Sequence, residues 1–325
     1  MNQERLRKSP NIAIVGSTSL LGKELQDMLE ARDFPMGRRV LLATEEYAGL
    51  LQEFAGEIQI TQVISPDALH DIDIAFFTCS PEIMRAYIAS GPRFPGLTID
   101  LTQAGLDGMV YLDGVSNPRL LKSSGYFVNP HPAAIVIART LSQLHNKYGV
   151  QSAAVTILEP ASERGNAGVD ELQEQTVSLL NFQPVPNKVF EGQLAFNILP
   201  EQQTSERTEK RIMEQLVQIL GDTVPKPMIS AAQMPVFHSQ VYSMFLCLLA
   251  PPSVPDIAAH LDRGPEIPSP VGVVGTDKIH VGRISRDENH PGAYSLWLFA
   301  DNLRVAASNA IQIAEHIVCA PALEM

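Results

Sequence analysis

Cysteine is scarce in this chain. Cys79, Cys247 and Cys319 stand at wide, unpatterned spacing along 325 residues. An odd number without a spacing motif argues against a disulfide framework or a cysteine zinc site, and reads as reduced thiols in a reducing compartment. Basic residues are also in deficit: 24 Lys and Arg against 36 Asp and Glu leave a formal net charge of −12. That balance argues against nucleic acid or an anionic membrane as partner, since both need clustered Lys and Arg. No spanning apolar segment is evident, and the opening MNQERLRKSP is charged. The expectation is a cytoplasmic chain with no signal segment.

What is present is an ordinary globular composition, 45% hydrophobic and 18% charged. The length suffices for two domains, each with a sizeable core. The run Asn11 to Val15 is apolar and β-branched and ends at Gly16. It reads as a strand buried on both faces. Ser17, Thr18, Ser19, Leu20, Leu21 and Gly22 follow, and Lys23 to Ala31 has helical periodicity. Strand, glycine turn and helix together form the context of a dinucleotide fingerprint. Gly16 is expected to make the tight turn and Gly22 to let helix and strand pack closely. The middle glycine is replaced by Ser19, whose hydroxyl can still donate to a phosphate. The residues leave open whether this crevice is used.

A second strand is expected at Arg39 to Ala43, followed by Thr44, Glu45 and Glu46. An acidic residue there accepts from a ribose 2′-hydroxyl and repels a 2′-phosphate, so NAD is favoured over NADP. Further strands are expected at 58–63, 72–78, 97–101 and 126–128, with helices at 81–89 and 133–145. Strands alternating with helices imply a parallel sheet. Cys79 reads as a small buried filler.

In the second half, strands are expected at 153–158, 236–237, 241–249, 278–284 and 293–300. Helices are expected at 166–180, 205–220, 256–261 and 301–319. Ser162, just before a helix, is read first as a cap. The segment 241–249 is almost wholly apolar, so it is expected to be buried in an intrachain core or against another subunit.

These residues resemble the aspartate-semialdehyde dehydrogenases along nearly the whole chain. The matching stretches are Gly16 to Gly22, Ala48-Gly49, Asn129-Pro130, Ala161-Ser162 through Asp170-Glu171-Leu172, and Ala195-Phe196-Asn197-Ile198-Leu199-Pro200. Gly282-Arg283-Ile284 with Asp287, and Asp301-Asn302-Leu303-Arg304 through Asn309 to Glu315, complete them. The last stretch is the most specific. Within the family the chain looks most like the Usg-type branch.

The resemblance implies an α/β Rossmann-type doubly wound parallel sheet over residues 1–132, completed by a returning C-terminal helix at 301–325. An α+β dimerisation domain is implied over 133–300, its sheet forming a homodimer interface. The family serves amino-acid biosynthesis, reducing an aspartyl phosphate with NADPH through a cysteine thioester. Ser162 and Asn309 are implied on the nicotinamide side.

Carried over residue by residue, most of the family's machinery is replaced. Pro132 stands at the nucleophile position, and proline is suited to opening a helix but supplies no thiolate. The substrate-orienting glutamine falls on Glu159. Two substrate arginines fall near Leu106 and on Gln233, and the arginine that favours a 2′-phosphate falls on Glu46. His238, in His238-Ser239-Gln240, falls on the family's base, although the loop before it is two residues shorter. Losing arginine forks and gaining Glu159 is expected to turn an anion receptor into one that repels anions. His131, His238, Glu159 and Glu163 lack tight ligand spacing, so no metal is expected.

The expected function is that of a homodimeric aspartate-semialdehyde-dehydrogenase-like protein without that activity. Two alternatives stand beside it. One is an active NAD-dependent oxidoreductase of altered substrate using His238 and Glu159. The other is a non-catalytic partner or scaffold.

Overall fold

The computed structural model describes residues 8–90, 94–104, 107–201, 208–264, 266 and 268–318. Leu106, Ser205 and Cys319, all invoked from sequence, lie outside them. The chain forms two compact units, Met1–His131 with Ala306–Met325, and Pro132–Val305. Among the described residues no helix is long and apolar enough to cross a membrane.

The first unit contains β1 (Ile12–Val15), α1 (Leu20–Ala31), β2 (Arg39–Ala43), β3 (Leu51–Phe54), β4 (Glu57–Ile60) and β5 (Gln62–Val63). It continues with β6 (Ile74–Phe77), α2 (Pro81–Ser90), β7 (Leu97–Asp100), β8 (Met109–Val110) and β9 (Tyr126–Val128). Seven strands form one sheet in the order β5-β2-β1-β6-β7-β9-β8. All its pairings are parallel. Ile12, Ile14, Ile74 and Phe76 point to one face, against Leu25 and Leu29 of α1 and Ala310 and Ile311 of the chain's last helix. Ala13, Val15, Ala75 and Phe77 point to the other, against Met84 of α2. Cover on both faces is why these strands are continuous apolar runs.

The expected 58–63 strand is two pieces. β4 pairs with β3 in a separate hairpin, and only β5 joins the large sheet, at its edge. Thr61 breaks the run because its backbone stays with the hairpin, its N–H donating to the Leu50 carbonyl at 2.8 Å and its carbonyl accepting from the Gly49 N–H at 2.8 Å.

The second unit contains α3 (Pro132–Tyr148), β10 (Val150–Glu159), α4 (Gly165–Leu180), β11 (Leu199–Pro200) and α5 (Thr208–Leu220). β12 (Met228–Gln233), β13 (Gln240–Leu248), α6 (Val254–His260), β14 (His280–Arg286) and β15 (Ala293–Ala300) follow. The last helix, α7 (Asn302–Val318), starts here and belongs to the first unit from Ala306. Six strands form a mixed sheet in the order β11-β12-β10-β13-β15-β14.

Helix α3 opens on Pro132, whose missing N–H costs nothing in a first turn. It ends at Gly149, with φ +68°, whose N–H donates to the His145 carbonyl at 2.9 Å. Ile212, Leu216 and Ile219 form the buried stripe of α5. The expected strand at 236–237 is instead an irregular segment: the Val236 and Phe237 carbonyls accept from the N–H groups of Ala161 and Ser162. β12 is present where none was expected.

Helix α4 carries a buried carboxylate with a structural task. Glu171 accepts from the backbone N–H groups of Lys188, Val189 and Phe190 at 2.7, 2.7 and 3.1 Å. It thereby fixes the loop after α4. Glu171→Gln keeps the size but removes the anionic acceptor, and is expected to lower stability by about 2 kcal/mol in urea unfolding. An unchanged midpoint would show the loop holds without it.

Candidate functional site

In the first unit the fingerprint turn is built as its glycines require. Gly16 has φ +97°, and an added Cβ would lie 2.4 Å from the Cys79 nitrogen. A Cβ on Gly22 would lie 2.3 Å from the Gly16 carbonyl oxygen. Ser19 caps α1, its hydroxyl accepting from the Gly22 N–H at 2.9 Å and donating to the Thr78 carbonyl at 3.0 Å. The serine proton expected to reach a phosphate is thus spent inside the protein. The first-turn N–H groups of Leu20 and Leu21 find no acceptor among the described residues. Ser17 is buried and accepts from the Gln52 side chain at 3.1 Å, a tie from β3 that the sequence did not disclose. Thr18 completes the turn.

Thr44 precedes the short 3-10 turn Glu45–Tyr47 without a side-chain capping bond, and Glu46 is exposed there. Asn309 is wholly buried and fully engaged. Its amide donates to the Tyr111 carbonyl at 3.0 Å and to Asn129 Oδ1 at 2.8 Å, and accepts from the Asp113 N–H at 2.9 Å. His131, the final residue before the second unit, is buried.

In the second unit β10 ends at Glu159, Pro160 breaks the strand, and the 3-10 turn Ala161–Arg164 leads into α4. Ser162 lies inside that turn and caps no helix. Its hydroxyl donates to Asn302 Oδ1 at 3.2 Å, which corrects the capping expectation.

Glu159 is the most perturbed carboxyl described. It is only 3% exposed, and its Oε1 has no hydrogen-bond partner among the described residues. Burial chiefly, then the Glu163 charge, pushes its pKa up to about 8 against the pull of Arg164 and Arg211. Glu159 therefore holds its proton at neutral pH. The sequence reading counted it as a fixed negative charge repelling anions; burial makes it a neutral acid instead.

The parallel register of β10 and β12 sets Glu159 beside Gln233. Gln233 meets the Arg164 guanidinium: with its amide oxygen turned toward the two donors, it accepts from Nε at 2.8 Å and Nη2 at 2.7 Å. A guanidinium therefore stands beside Gln233, the position where the resemblance implies an arginine.

A polar chain runs outward from Glu163. Its Oε1 accepts from Gln240 Nε2 at 3.0 Å and Asn302 Nδ2 at 2.9 Å. Gln240 Oε1 accepts from the Tyr242 hydroxyl. Burial, then Glu163 and Glu159, holds Tyr242 well above its ordinary pKa, so it stays a neutral donor. Ser239, between His238 and Gln240, has φ +75°, and its buried hydroxyl has no partner among the described residues. His238 itself is half-buried.

The sequence reading missed Arg164, Tyr242 and the bond from Asn302. The available signal was the i, i+2 placement of Gln240 and Tyr242, which puts both on one face of a strand. Chemically, the cluster holds a proton at a carboxyl poised near neutrality, coupled by charge to Glu163 and its amide and hydroxyl partners.

Comparison with known proteins places this arrangement. Residues 11–104 match the semialdehyde dehydrogenase NAD-binding domain, and residues 141–305 the semialdehyde dehydrogenase dimerisation domain. The chain is 31% identical to an aspartate-semialdehyde dehydrogenase of Rickettsia conorii, over 96% of this chain and 99% of that one. It is 29% identical to a USG-1 protein homologue of Pseudomonas aeruginosa, over 95% and 97%. Aspartate semialdehyde dehydrogenase II of Vibrio cholerae superposes with a TM-score of 0.87 at 27% identity, covering 96% of this chain and 99% of that one. On this evidence of sequence and fold, the chain belongs to the aspartate-semialdehyde dehydrogenase family, alongside its USG-1-type homologues.

Proposed function

We propose that the protein is a nicotinamide-binding, homodimeric member of the family that does not perform its thioester chemistry. Pro132 carries this reading. It opens α3 at the position where the resemblance puts the nucleophile, and it has no group to acylate. Neither described thiol substitutes for it. Cys79 is buried, and burial first, then Asp100, pushes its pKa up to about 12, so it is not a thiolate at neutral pH. Cys247 lies within strand β13.

The fingerprint turn fits a dinucleotide. The unsatisfied N–H groups of Leu20 and Leu21 open α1, and such donors at a helix start suit a pyrophosphate. When bound, a nicotinamide supplies hydride acceptance or donation. Exposed Glu46 supports NAD over NADP, since a 2′-phosphate would meet a carboxylate there.

The homodimer is supported by the mixed sheet. Its outward positions on β10, β12, β13 and β15 include Ala154, Met228, Phe245 and Trp297, and no charged side chain. Charge depletion of that kind marks the core of an interface.

A second reading rests on Glu159. A carboxyl poised near neutrality suits general acid–base work, so an oxidoreductase of altered substrate needing no thioester is the alternative.

One experiment separates the readings. Purified protein is titrated with NAD, NADH, NADP and NADPH, then assayed with aspartate semialdehyde and phosphate. The expected result is binding of the NAD forms at least about tenfold tighter than the NADP forms, with no turnover above buffer. Turnover abolished by His238→Ala replaces the first reading by the second. Tighter binding of NADPH overturns the role given to Glu46.

A further inference from the structure

The second unit holds a cavity of about 510 Å³ that shares no residue with the Glu159 cluster. Its size lies within the ~300–1,000 Å³ typical of small-molecule sites. One wall is a face of α3, with Arg139, Thr140 and Gln143. The segment leading into β14 lines it with Asp277, Lys278 and His280, and the loop after α6 contributes Asp262 and Glu266. Buried Leu261 and Val281 supply an apolar floor. The walls are tied together: the His260 ring on α6 hydrogen-bonds the Gln143 carbonyl at 3.0 Å and packs edge-on against Tyr148.

The charge pattern restricts what fits. Arg139 and Lys278 are cationic, and Asp262, Glu266 and Asp277 are anionic. His280 sits with its Nε2 2.7 Å from the Thr276 hydroxyl, and burial, then Lys278, lowers its pKa, which favours the neutral ring. A purely anionic ligand would face the exposed carboxylates of Asp262 and Glu266. A purely cationic one would face the exposed Lys278 ammonium. A small molecule carrying both charges meets complementary groups of each sign, with the apolar floor left for the rest of it.

We propose that this cavity is a binding site for a free α-amino acid, with its carboxylate toward Lys278 and its ammonium toward Asp262, both exposed. The proposal is independent of the cofactor and of any turnover at the Glu159 cluster.

The test is calorimetric titration of the full-length protein with each standard amino acid, repeated as a thermal-shift series. Saturable binding of at least one is expected. Its deaminated acid and its decarboxylated amine should each bind at least about tenfold more weakly, the effect of losing one charge-assisted hydrogen bond. Asp262→Asn and Lys278→Gln are exposed changes that leave the unfolding midpoint of the ligand-free protein unchanged. Each should weaken binding by a similar factor. Absence of both heat and thermal shift for every amino acid up to ~10 mM overturns the proposal. Equal binding of the deaminated acid also overturns it, reducing the cavity to an anion site. Binding undiminished in both variants places the ligand elsewhere.

Discussion

Glu159→Gln is expected to flatten the loss of stability that the native protein suffers between about pH 4.5 and pH 8. The sign follows from the direction of the shift. The carboxyl's pKa rises from 4.5 in the unfolded chain to about 8 in the fold. Below pH 4.5 both states hold the proton and the burial of Glu159 carries no ionisation penalty. Above that value the unfolded chain releases the proton while the folded chain keeps it, so stability falls as pH rises. The fall ends once the folded carboxyl ionises near pH 8. At ~1.4 kcal/mol per unit the full window amounts to up to about 5 kcal/mol.

Other titrating groups do not imitate this pattern. Asp256 and Asp287 have lowered pKa values through hydrogen bonds, to Ser253 and to the Asn289 N–H first, so their contributions are lost only as pH falls into the acid range. His280 has the opposite sign, its lowered pKa removing stability as pH falls through it. The comparison of native protein with Glu159→Gln cancels all three. Urea unfolding at fixed protein concentration, from pH 4.5 to pH 8, should show two curves that meet at low pH and diverge at high pH, the variant being more stable. Parallel curves would mean that Glu159 is ionised in the fold. Its claim to hold a proton at neutral pH would then fail.

The same residue shows where sequence reading stops. Strands β1, β2 and β15 were legible because their chemistry is local: an apolar run ending at a turn residue fixes both ends. Gly16 and Gly22 were legible because only glycine fits the conformation at one and the close approach at the other. β12 was not. Met228 to Gln233 carries two polar residues and two alanines, a composition with little strand preference. It is a strand because parallel pairing with β10 supplies its hydrogen bonds. Val236 and Phe237 err the other way: β-prone side chains in a segment whose carbonyls are claimed by Ala161 and Ser162.

Site residues divide likewise. The resemblance singled out Pro132 and Glu159 from sequence. The protonation of Glu159 could not be, since it depends on burial and on groups such as Arg211 that folding alone brings near. Ser162 reads as a cap from its neighbours in sequence, yet its partner is Asn302, 140 residues away.

Strand β13 offers the second large effect. Its apolar sequence implied burial in a core or against another subunit, and the structure covers one of its faces. Tyr242, Met244, Leu246 and Leu248 are buried, whereas Phe245 is 46% exposed and Trp297, on the paired strand β15, is 38% exposed. The dimerisation-domain match supports a second copy as the missing cover. In a two-fold interface any substitution enters twice, once from each protomer. Phe245→Glu therefore puts two carboxylates into a patch without charged side chains. At ~2 to 3 kcal/mol per copy, dimer affinity should fall by roughly 10³-fold to 10⁴-fold. Sedimentation equilibrium should show a dimer for the native protein and a monomer for the variant at the same concentration. Because residue 245 points away from the unit's own core, the monomer should keep native far-UV and near-UV circular dichroism. A variant that stays dimeric moves the interface off this face, and Phe245 and Trp297 then need another cover. A variant that unfolds shows that the second copy belongs to the core itself, and that this unit, like many obligate dimers, has no stable folded monomer.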